Sequence, residues 1–169
     1  MAIGAPFGDT IFCEDIREEV GGKLSFMGVY TGAMVVPALP FIIPRLCLRI
    51  RYFEPHTLSN APISIKVLGV GDDSIIYEGG VDLSDIRREA QALESSGLLD
   101  HLSSDLKGQV LSEEVLLNFE RLVIEETGYI RVRAARDGRV IKLGAMRVTT
   151  QVELDSEDEV VADKLNSQS

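Results

Sequence analysis

The stretch from Tyr129 to Val148 constrains this chain more than any other, because its pattern and its turn agree on a single register. Asp137-Gly138 is a strong two-residue hairpin signal, since both positions of such a turn take positive φ. A two-residue turn there sets Arg136 opposite Arg139 and Ala134 opposite Ile141. Ile130, Val132, Ala134, Ile141, Leu143 and Ala145 then fall on one face, and Arg131, Arg133 and Lys142 on the other. A slip of one residue would turn the aliphatic set to water, so this hairpin predicts a sheet with one buried face.

Other segments repeat the theme. From Arg45 to Phe53 the residues alternate, with Leu46, Leu48, Ile50 and Tyr52 on one side and Arg45, Cys47, Arg49, Arg51 and Phe53 on the other, which predicts a half-buried strand with a basic outer side. Gly21-Gly22 separates two strand-like runs, Thr10–Ile16 and Lys23–Tyr30, and reads as a further hairpin turn, although Glu14 to Val20 also reads as a helical turn. Ile63–Val70 and Ile75–Tyr77 flank Gly71-Asp72-Asp73-Ser74 in the same manner, and Val115–Ile124 has strand composition. Met34–Pro44 carries Pro37, Pro40 and Pro44, so it is expected to be an extended edge or a buried connection, neither helix nor central strand. Ser84–Ser96 is the best helix: Ser84 is placed to cap it, Ile86, Ala90 and Leu93 form an apolar stripe, and Gly97 stops it. Leu98, Leu99, Leu102 and Leu106 suggest a second short helix or covering loop, so that about 84–107 is a helical excursion from a β framework.

These elements predict a mostly-β single domain over 1–150, an antiparallel β-sandwich (immunoglobulin-like or similar) with a helical insertion. From 151 to 169 the pattern fails, and Glu153, Asp155, Glu157, Asp158, Glu159 and Asp163 mark an acidic tail expected to be disordered.

Charge is uneven. The chain of 169 residues has net charge −10. Within 129–147, however, six basic residues (Arg131, Arg133, Arg136, Arg139, Lys142, Arg147) face one acid, Asp137, a balance of +5 that leaves −15 elsewhere. The overall charge argues against nucleic acid as a partner of the full chain. The longest apolar run, Ala33 to Pro44, is short and broken by prolines, which argues against a membrane span. Cys13 and Cys47 are expected to be free thiols of a cytoplasmic protein.

Catalytic patterns are weak. Gly21-Gly22-Lys23-Leu24 lacks both the earlier glycine and the Ser or Thr that a phosphate loop requires. His56 and His101 have no His or Cys at zinc-ligand spacing, Asp72 and Asp73 are explained as turn formers, and the pairs Glu113-Glu114 and Glu125-Glu126 point to opposite faces of a strand. No cofactor or metal is expected.

The opening from Ile11 to Tyr30 (IFCEDIREEVGGKLSFMGVY), the stretch Pro40–Leu48 and the hairpin from Gly128-Tyr129 to Gly138 together resemble a family of uncharacterised bacterial proteins, a domain of unknown function, over most of 8–150. That resemblance implies no activity and no site residues. The expected function is a non-enzymatic protein-interaction or assembly module, working through a protein partner or self-association. Its candidate anion- or partner-binding residues are Arg49, Arg51, Arg131, Arg133 and Lys142. The alternatives are a small-ligand or hydrolytic site near Cys13, His56 and the helical excursion, or a structural subunit of a phage-like assembly.

Overall fold

The computed structural model describes residues 4–55, 57–71, 74–96 and 110–156. His56, the Asp72-Asp73 turn tip, Gly97, the suggested second helix and the tail beyond 156 lie outside them. Among the described residues ten strands and one longer helix follow in the order β1 Phe7–Cys13, β2 Asp15–Glu19, β3 Lys23–Met27, β4 Ala33–Val36, β5 Phe41–Pro55, β6 Ile63–Leu68, β7 Ile75–Val81, α1 Ser84–Ser95, β8 Val110–Ile124, β9 Gly128–Arg136 and β10 Arg139–Thr150. The protein is mostly β, as expected. One sheet has the order β1-β5-β8, a second β4-β10-β9-β6-β7, and β2-β3 forms a separate hairpin.

The alternation read from the sequence explains how the two larger sheets meet. Leu46, Leu48, Ile50 and Tyr52 of β5 are fully buried, as are Ile130, Val132 and Ala134 of β9 and Val67 of β6. All belong to one apolar cluster shared by the two sheets, a sandwich-like arrangement. The strand order does not by itself establish the immunoglobulin-like form.

The β9–β10 hairpin pairs Arg136 with Arg139 and Ala134 with Ile141, as the turn requires, and Asp137 and Gly138 have φ of 50° and 71°. Four residues on, the register departs from the expectation. A bulge between Lys142 and Gly144 shifts the pairing, so that Gly144 faces Val132. Leu143 stays buried, but beyond the bulge Met146 and Val148 take the core positions and Ala145 turns outward. The cause is steric. A Cβ on Gly144 would lie 2.8 Å from Thr10 Cβ, because β1 packs closely on β10 there. A bulge bends the strand and lets a glycine take this close approach.

Pro44 is another departure. It lies inside β5, the central strand of its sheet. Proline is tolerated because β1 ends at the Cys13–Cys47 pair, so β5 has a partner on one side only from Phe41 to Leu46. Opposite Pro44 in that register is Arg121, whose φ of 57° marks a local irregularity of β8. The upstream part of the proline-rich stretch is an edge, with β4 running parallel to β10.

Helix α1 begins where expected, but the acceptor at its start comes from two residues earlier: Asp82 Oδ1 accepts the Ser84 amide at 2.8 Å. Arg87 and Ala90 are buried on this helix, as is Leu83 just before it, whereas Ile86 of the expected stripe is exposed. The expected disorder from 151 onward meets a short helix over 151–156, in which Glu153 accepts hydrogen bonds from Thr127 (2.9 Å) and Thr149 (3.0 Å). No helix among the described residues is long and apolar enough to cross a membrane.

Candidate functional site

The five candidate residues do not form one patch. Each strand alternates, so residues between core positions point away from the shared core. Arg49 and Arg51 lie on the outer face of the three-stranded sheet, and Arg131, Arg133 and Lys142 on the outer face of the five-stranded sheet.

The first group is neutralised locally. Arg51 makes a two-pronged pair with Asp9 (2.7 Å from Nη2, 3.1 Å from Nε to the same oxygen), and its guanidinium lies 5.4 Å from the centre of the Phe53 ring. Arg49 pairs with Glu114 of β8 and lies 5.7 Å from the centre of the Phe26 ring, which belongs to the β2–β3 hairpin. Arg45 reaches Asp15 of that hairpin at 2.9 Å. These arginines therefore fasten β1, β8 and the small hairpin to β5.

The second group is arranged differently. Arg133 faces Lys66 of β6 on one side and Lys142 of β10 on the other, and Lys66 faces Glu78 of β7. A row of three cations thus crosses three adjacent strands, with one acid at its end. Strands lie about 4.8 Å apart, so the three charges begin within about 10 Å of one another. Lys66 and Glu78 pair at 3.0 Å. Arg133 donates to the carbonyls of Val132 (2.9 Å) and Gly144 (3.2 Å) and so lies across the bulge, while exposed Lys142 has no ion-pair partner among the described residues. Arg131 occupies the same face opposite Ala145 and Leu68. Exposed Val140 (69% accessible) lies two residues from Lys142 along β10, and exposed Tyr129 (52%) two residues from Arg131 along β9.

Sequence reasoning missed the most heavily charged buried cluster. Glu54, 1% exposed, receives Tyr52 Oη at 2.9 Å and Arg136 Nε at 2.6 Å on one carboxylate oxygen, and Arg87 Nη2 on the other. Arg87 also donates to the Leu58 carbonyl, and Arg136 to the Ser59 carbonyl and Asp137. Burial, and then the hydrogen bond to Glu54, push the Tyr52 hydroxyl's pKa well above its usual value. A signal was present: Glu54 follows Leu48, Ile50 and Tyr52 on the inward parity, and Arg136 follows Ile130, Val132 and Ala134. Two opposite charges at core-facing positions on two strands are expected to meet. A cavity of about 440 Å³ opens beside Arg136, lined also by Pro6, Leu58, Arg139, Val140 and Ile141. Among the described residues no group of three or more His, Cys, Asp or Glu is placed to hold a metal.

Cys13 and Cys47 stand directly opposite each other on β1 and β5, and both are buried free thiols. Cys13 Sγ donates to the Cys47 carbonyl at 3.7 Å, and Cys47 Sγ lies 3.6 Å from both the Glu14 carbonyl and Asn118 Oδ1. Burial, with the neighbouring thiol, pushes the Cys13 pKa up to about 11. His56, the other member of the alternative site, is outside the described residues.

Fold and surface together define a mostly-β, sandwich-like domain with one locally neutralised outer face and one cationic one. The chain belongs to the family described as "Family of unknown function (DUF6941)", whose model matches residues 9–149. No curated protein and no solved structure matches it.

Proposed function

We propose that this chain is a non-enzymatic interaction module whose five-stranded sheet binds an acidic segment of a partner protein on its outer face. The observation that carries the reading is the row Lys66–Arg133–Lys142 with Arg131 beside it, in a protein of net charge −10. Like charges directly opposite each other on neighbouring strands cost stability, and an acid at either place would remove that cost. On the other sheet Arg45, Arg49 and Arg51 each has a carboxylate partner, whereas Lys142 has none among the described residues. Exposed Tyr129 and Val140 beside the cations add the apolar and aromatic area that protein interfaces use. A reducing, cytoplasmic setting is part of the proposal, and the two buried free thiols support it.

The test is binding of a labelled polyglutamate peptide, followed by anisotropy across a salt series. The expected result is salt-sensitive binding that Arg133→Glu with Lys142→Glu weakens at least about ten-fold, roughly 1.4 kcal/mol. Arg49→Gln on the opposite face leaves it unchanged. Absence of binding, or equal loss with Arg49→Gln, overturns the proposal.

A further inference from the structure

We propose that Cys13 and Cys47 form a redox-modification site, a cross-strand dithiol that a hydroperoxide converts to an intrachain disulfide. The argument begins with register. The β1–β5 ladder runs without a shift from Phe7↔Phe53 to Cys13↔Cys47, so the two cysteines are direct antiparallel partners. Such partners have Cα atoms about 4.5 or 5.5 Å apart, depending on their place in the hydrogen-bond pattern. Both values lie within the roughly 4.4–6.8 Å that a disulfide spans. Their Cβ atoms, about 4.5–5.5 Å apart in a ladder, must close to about 3.5–4.5 Å, a pinch near 1 Å.

Side-chain direction agrees. Phe12, Leu46 and Leu48 point into the core, so Cys13 and Cys47 both project from the outer face of the three-stranded sheet. The β2–β3 hairpin leaves β1 at this point, and Cys47 Sγ lies 3.6 Å from the Glu14 carbonyl at its root and from Asn118 Oδ1 of β8. The Glu14 amide donates to the Met27 carbonyl at 3.0 Å, and the Tyr30 amide to the Phe12 carbonyl at 2.9 Å. Beyond its root the hairpin is tied to β5 through Asp15–Arg45 and the Phe26–Arg49 contact. A two-stranded ribbon is marginal by itself, so its local opening is a low-energy route by which a small oxidant reaches the sulfurs. The raised Cys13 pKa makes the thiols slow to react while the hairpin is closed.

The chemistry balances with hydrogen peroxide as oxidant. One thiolate attacks the peroxide, forming an S–O bond as the O–O bond breaks, and hydroxide leaves to take the proton as water. The second sulfur attacks the resulting sulfenic sulfur, forming the S–S bond and expelling the second oxygen as water. Two thiols lose two electrons and two protons, and the peroxide becomes two waters. Thiol–disulfide exchange with a dithiol reductant reverses the change. The product ties β1 to β5 on the side that carries the hairpin, a different face from the proposed partner-binding surface.

The experiment treats the folded, reduced full chain with hydrogen peroxide, followed by intact mass and non-reducing peptide mapping. The expected product is a monomer that has lost two hydrogens, with the Cys13 and Cys47 peptides linked and dithiothreitol restoring both thiols. Cys47→Ser, checked for native circular dichroism, should show no such loss and instead carry a sulfenic acid at Cys13 that dimedone traps. Two free thiols surviving in the folded protein but not in urea would overturn the proposal. Oxidation to interchain dimers or sulfonic acids without the two-hydrogen loss would overturn it as well.

Discussion

Replacing Glu54 by Gln should be among the most damaging single changes this protein can suffer, although it alters one atom. The carboxylate accepts from Tyr52, Arg87 and Arg136, and both arginine side chains are only 6% exposed. The amide keeps the shape but loses the charge, and its nitrogen must face donors. Arg136 retains Asp137 and the Ser59 carbonyl, and Arg87 retains the Leu58 carbonyl, so part of the network survives. What remains is two buried guanidiniums without their shared carboxylate. Breaking a buried pair from one side costs about 3–5 kcal/mol. With a urea slope near 2 kcal/mol/M, the unfolding midpoint should fall by about 1.5–2.5 M. Tyr52→Phe removes one hydrogen bond to a charged group and should cost only about 1.5–3 kcal/mol. Urea titration followed by circular dichroism gives both numbers. If Glu54→Gln costs under about 1 kcal/mol, or no more than Tyr52→Phe, the shared carboxylate does not hold the two arginines as the buried ion pairs require.

Val132→Ala empties a fully buried site between the sheets and should cost about 1–3 kcal/mol in the same assay; an unchanged midpoint would contradict the core assignment. Gly144→Val should destabilise by about 1–3 kcal/mol, because the added Cβ meets Thr10 and Phe12 across the bulge, whereas a neutral result would mean that β1 does not press on β10 there. Between pH 9.0 and about 11 the unfolded chain releases the Cys13 proton while the folded chain keeps it, so stability should fall as pH rises through that window. Cys13→Ala should flatten that part of the slope, and identical pH profiles for the two proteins would refute it.

The sequence by itself determined the local geometry wherever alternation and turn chemistry agreed. Leu46 to Tyr52 and Ile130 to Ala134 face the core as read, because a strand has only two faces and only one can meet water. The Asp137-Gly138 turn set the hairpin register for the same kind of local reason. It could not reveal the bulge at Gly144, because that depends on how near β1 comes from more than a hundred residues away. Pro44 in a central strand likewise depends on where β1 stops. Burial of Arg87 in place of Ile86 depends on Glu54, a partner 33 positions distant. The five basic candidates were legible as outward-facing residues, yet their charge environment was not. Tertiary structure placed Asp9 and Glu114 beside two of them, and Lys66 beside Arg133. Charges interact through distance in space, and sheet order, which sets that distance, is settled by the packing of the whole core rather than by any one strand.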